Sequence, residues 1–146
     1  MQSEATWDVI ALVGRILFAL IFLGSGTMGH IGQRKGMAQY ASSQGVPAAE
    51  PLVVGSGVLI LVGGLMVAFG VWGDLGALLL LVFVVPTAYF MHAFWKIQDP
   101  MQRANQQAHF MKNLALAGGS IMAFVLFAGL GHNLGLTITG PLFNLR

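Results

Sequence analysis

Tyr89, His92 and Lys96 are spaced i, i+3, i+7, which places them on one face if the chain there is helical. Gln102, Gln106, His109 and Asn113 follow at i, i+4, i+7, i+11, with Lys112 beside them, and mark a polar stripe on a second helix. Imidazoles, a phenol, amides and an ammonium brought together can hydrogen-bond the carbonyl oxygens of a quinone head-group, or an anion. They can also pass protons, because histidine titrates near neutrality. The expected binding set is therefore His92, Lys112, Asn113, Tyr89 and His109, with His30 closing an earlier apolar run on the same side. A plainer reading stands beside it. Lys96 and Lys112 snorkel at an interface, His109 is a solvated loop residue, and His92 bonds a neighbour as buried polar groups must.

Arg15 is the lone charge inside its apolar run. A charge there is costly and is a functional hypothesis by default. Either it forms a structural ion pair with Asp8 or Asp74, or it contacts an anion or carbonyl inside the protein. No two of the four histidines stand at i, i+4 and no carboxylate is close to them in sequence, so no metal site is expected. The chain has no cysteine, no CxxCH, no dinucleotide fingerprint and no P-loop. An intrinsic cofactor is not expected. Redox chemistry would need a bound quinone or a partner subunit.

The elements that must position these residues follow from composition. Of 146 residues, 56% are hydrophobic and 8% charged, against roughly 25% charged in a soluble domain. So few charges cannot cover a water-exposed surface. The net charge of +2 and the lack of a basic, aromatic-interleaved stretch exclude a nucleic-acid partner. Four apolar stretches, about residues 9–29, 52–72, 75–95 and 112–131, are near the 20 or so residues needed to cross a bilayer as helix. Lipid offers no partner for backbone groups, so each span should be helical. The expected fold is all-α: an integral membrane four-helix bundle forming a single domain over residues 1–146. Loop 1 should carry a short interfacial helix, broken by Gly45-Val46-Pro47. Span 4 should have a helical lead-in, capped by Asp99 with Pro100 at its first position.

Residues 1–8 carry Glu4 and Asp8 and no base, and the exit of span 1 lacks a small-x-small site, so span 1 reads as retained. Loops 1 and 3 hold Arg34, Lys35, Lys96, Arg103 and Lys112, which assigns them to the cytoplasm and the termini to the outside. Trp7, Trp72 and Trp95 fall at span ends as interfacial anchors. Gly24, Gly26, Gly29, Gly55, Gly57, Gly63, Gly64, Gly118 and Gly119 mark close helix contacts, within one chain or in a homo-oligomer. Pro86 should kink span 3, or be accommodated by Thr87 and the neighbouring helices.

Several of these features, in order, resemble the DoxX family. They are Gly14-Arg15-Ile16-Leu17, Gly63-Gly64, His92-Ala93-Phe94-Trp95 before Asp99-Pro100, and His109-Phe110-Met111-Lys112-Asn113-Leu114 running into Gly118-Gly119. The likeness covers about residues 9–131. It implies a four-helix protein of the bacterial inner membrane, of the kind described as quinol-oxidase or thiosulfate:quinone oxidoreductase subunits or as partners of membrane redox complexes. It also marks Arg15, His92, Lys112 and Asn113. Many relatives close with Ser-x-Asp after span 4, whereas Gly131-His132-Asn133-Leu134-Gly135-Leu136 stands here. Two functions follow as expectations: a quinone-linked subunit working beside a redox partner, or an accessory subunit without chemistry in a larger membrane complex. A small transporter or channel is weaker, because the spans lack a continuous polar lining.

Overall fold

The computed structural model describes residues 2–143 and Leu145. Among these residues the protein is all-α. α1 runs Gln2–Gly24 and continues as a π-helical segment, Ser25–Ile31. α2 is Arg34–Ser43, α3 Ala49–Phe69, α4 Gly73–Met91 and α5 Pro100–Leu130. Four segments, Glu4–Ile31, Ala49–Phe69, Gly73–Lys96 and Pro100–Asn133, are long and apolar enough to cross a membrane. Their outward faces are apolar too, with Leu17, Val82 and Met122 well exposed. This is a multi-pass membrane protein.

Local chemistry sets most boundaries. Asp99 accepts the Gln102 N–H at 2.8 Å and Pro100 starts α5, so the lead-in and span 4 are one helix. Gly45 adopts φ +86°, and the Val46 N–H returns to the Ala41 carbonyl (3.1 Å), closing α2 in a Schellman turn. The break between α3 and α4 falls earlier than the apolar pattern suggests. Gly70 takes a left-handed conformation (φ +64°) and the Val71 N–H reaches Met66 O at 3.0 Å, so α3 stops at Phe69 and Gly73-Asp74 open α4. α4 runs unbroken through Pro86, and Thr87 donates its hydroxyl to the Phe83 carbonyl at 2.8 Å. It ends at Met91, and Phe94–Lys96 form a 3-10 turn. The helical spacing of Tyr89, His92 and Lys96 therefore does not describe where they lie.

The helices pack in the order α1, α3, α4, α5, and α1 barely approaches α5. Two glycine pairs bring backbones together. A Cβ on Gly26 would meet Leu61 and the Gly57 carbonyl; one on Gly76 would meet Met66 and the Gly63 carbonyl. Gly24, Gly55 and Gly118 face open space instead. The core between the helices holds Phe22, Ile60, Val67, Leu80, Val84 and Phe127.

After α5 a short 3-10 turn, Gly131–Asn133, leads into an irregular segment that ties one end of the bundle together. The last carbonyls of a helix have no partner within it. Here Ile138 N–H donates to Phe69 O (3.2 Å) and Thr139 N–H to Gly70 O (3.1 Å). The Thr139 hydroxyl oxygen accepts the Trp72 N–H at 2.8 Å.

Candidate functional site

At the end opposite this segment, four of the polar residues meet. His92 lies just past α4, half-buried, with Nδ1 at 2.8 Å from Gln106 Oε1. Its ring stacks on that of His109, centroids 5.2 Å apart and planes 21° apart. Lys112 Nζ lies 3.5 Å from His109 Nδ1. With the Gln106 oxygen as acceptor, His92 Nδ1 carries the proton and Nε2 is left as an acceptor. With Lys112 donating to Nδ1 of His109, that neutral ring carries its proton on Nε2. The pair thus presents one acceptor and one donor. α5 sets the spacing, since Gln106, His109 and Lys112 are successive one-turn neighbours on it.

Asn113 follows on the same helix, buried, and its Nδ2 has no hydrogen-bond partner among the described residues. Tyr89 is placed apart from the imidazoles. Its ring is largely exposed and packs on Phe90 and Trp95, and Trp95 in turn meets Phe94 and Phe110. Tyr40, on α2, was not singled out by its spacing. Its hydroxyl donates to the Met91 carbonyl at 2.8 Å, the point where α4 ends, and burial pushes its phenol pKa up.

His30 does not join this group. The π-helical turn directs it to α3, where Nδ1 lies 2.9 Å from Val53 O and 3.1 Å from Ser56 Oγ, with the Phe83 ring edge-on at 5.4 Å. π-turns recur where a side chain must be re-aimed. Gly57 makes room: a Cβ there would overlap the Cβ of His30. No local sequence signal marked that turn.

Arg15 is 3% exposed and lies at the other end. Its Nη2 donates to the Leu136 carbonyl at 2.7 Å, while Nε and Nη1 have no partner among the described residues. The Phe127 ring lies 5.6 Å from the guanidinium carbon. Asp8 is the opposing charge that acts on it, but Asp8 Oδ1 accepts the Gly135 N–H at 2.9 Å. The expected alternative pairing with Asp74 does not form. Asp74 is fully buried and its two oxygens take the N–H groups of Leu142 (3.0 Å) and Phe143 (2.6 Å). Main-chain donors outcompete the guanidinium because the C-terminal segment lies directly over the start of α4. Leu136 itself has φ +55°, a conformation costly for a residue with a Cβ.

Among known proteins, the DoxX family model matches residues 10–93, more than half of the chain. That stretch takes in Arg15 and His92 and stops before α5. No curated protein and no solved structure matches the chain. On the family match, with its four spans and these polar marks, the chain belongs to the DoxX family.

Proposed function

We propose that this protein is a quinone-linked subunit of a membrane redox assembly, holding the quinone head-group at the His92 end. The observation that carries the reading is the stacked His92–His109 pair, flanked by Gln106 and Lys112. An acceptor and a donor side by side suit a head-group that alternates between carbonyl and hydroxyl. Reduction of a quinone consumes two electrons and two protons. The imidazoles and Lys112 serve the protons, and the electrons come from a partner with a redox centre. Asn113 adds an unused amide donor one turn further along α5. The basic residues of loops 1 and 3 support a cytoplasmic position for this end in a bacterial inner membrane. Quinone extracted from the purified protein should approach one per chain and fall at least tenfold in His92→Ala. Quinone-free extracts from the wild type would sink the reading.

A second reading, an accessory subunit without chemistry, is favoured by the tethering of Asp8 and Asp74 to the C-terminal segment, which gives those charges a structural task. It expects the activity of the co-purified partner to survive His92→Ala unchanged.

A further inference from the structure

Past α5 the chain carries no Asp, Glu, Lys or Arg from Gly131 to Phe143. Leu136, Ile138 and Leu142 are nonetheless left 53%, 70% and 51% exposed. Backbone hydrogen bonds fix where they stand. The Ile138 N–H is held by Phe69 O at the end of α3, and the N–H groups of Leu142 and Phe143 by Asp74 at the start of α4. The segment therefore lies level with the α3–α4 turn, where Thr139 takes the N–H of the half-exposed Trp72. Single apolar side chains in water need no explanation, but a run of them on a pinned segment calls for a cover.

Two observations identify that cover. The first is continuity with the surface that meets lipid. Val58, Val62, Leu65 and Phe69 are all exposed on α3 at i, i+4, i+7 and i+11, forming one apolar face of a membrane span. That face ends at Phe69, whose carbonyl holds Ile138, so the apolar surface passes from the helix onto the segment. The second is the state of the backbone. Irregular chain enters a poorly hydrated zone only where its polar groups have partners. The N–H groups of Gly135, Ile138, Thr139, Leu142 and Phe143 all donate within the protein, and Pro141 has none to satisfy. The residue types point the same way. Protein–protein hot spots favour Trp, Tyr and Arg over leucine, whereas acyl chains accept any aliphatic side chain.

From this placement we infer that the C-terminal segment is a lipid-facing anchor, with Leu136, Ile138 and Leu142 set into the head-group–acyl boundary of the leaflet at the end of the bundle opposite His92. Apolar faces of interfacial segments reach about 5–10 Å into that boundary. The anchor is independent of the quinone reading. Asp8 and Asp74, by holding its backbone, keep it at a fixed level against the bundle.

The chain has no cysteine, so a single introduced cysteine carries a nitroxide label at one known place. Ile138→Cys and Leu142→Cys, both at exposed side chains and so tolerant of substitution, are labelled in the full chain and reconstituted in phosphatidylcholine vesicles at high lipid excess. Spin relaxation then compares collisions with oxygen, which concentrates among acyl chains, with collisions with a water-soluble nickel chelate. The references are Val62→Cys on the lipid face of α3 and Met101→Cys, 83% exposed at the polar start of α5. Both test labels should favour oxygen over nickel several-fold more than Met101→Cys does, and fall between the two references. Nickel contact equal to that of Met101→Cys at either position would overturn the inference in favour of water. A label shielded from both reagents would overturn it in favour of a protein surface, a second copy of this chain or another, covering the segment.

Discussion

The two ends of this bundle treat their polar residues differently. At the Arg15 end, Asp8, Arg15 and Asp74 each bind main-chain groups from the C-terminal segment, across sequence separations of 68 to 127 residues. At the His92 end, His92, just past α4, meets Gln106 and His109 of α5 side chain to side chain, and His109 meets Lys112 in the same way. Asp74 has both oxygens engaged, so its charge acts as a clamp. His92 has one nitrogen engaged and one to offer. A polar group in a membrane protein is therefore diagnosed by its unused hydrogen-bonding capacity, more than by its charge or depth.

That contrast can be broken by mutation. Asp74→Ala should have the largest effect on stability. It strips two buried N–H groups of a charged acceptor and frees the C-terminal segment, at a cost of about 3 kcal/mol. Unfolding in graded detergent, with protease cleavage of residues 134–143, would measure it, and a wild-type profile would refute the clamp. Gly70→Ala should cost about 2 kcal/mol, because alanine strains at φ +64° and its Cβ would press on Thr137 and Arg15. By contrast His92→Ala should cost less than about 1 kcal/mol while abolishing quinone retention. A large loss of stability there would make the His92 end structural as well.

The smallest effect is one of pH. Burial raises the Tyr40 pKa, so the folded state favours the neutral phenol. Its contribution should be complete below the unfolded value near 10 and disappear as pH rises through the higher folded value. Tyr40→Phe should erase that alkaline dependence, and a variant that keeps it would show that another group titrates.

Much of the architecture was legible because it is local. Asp99-Pro100 announces a helix start to its own three successors, and Gly45 ends α2 within one turn. The polar stripe on α5 was legible for the same reason, since helical spacing alone aligns Gln106, His109 and Lys112. Tyr89 parts from His92 and Lys96 because α4 stops at Met91, where Tyr40 of α2 takes the carbonyl, so the last two leave the helical face. The turn of His30 toward Val53 escaped because a π-helix leaves no compositional mark.

The sequence by itself determined that four apolar helices cross a bilayer, since hydropathy and helix length depend on residue type alone. Tertiary structure alone decided the fate of the charges. The partners of Arg15, Asp8 and Asp74 are backbone groups, which every residue carries alike, and their choice depends on where a distant segment comes to rest.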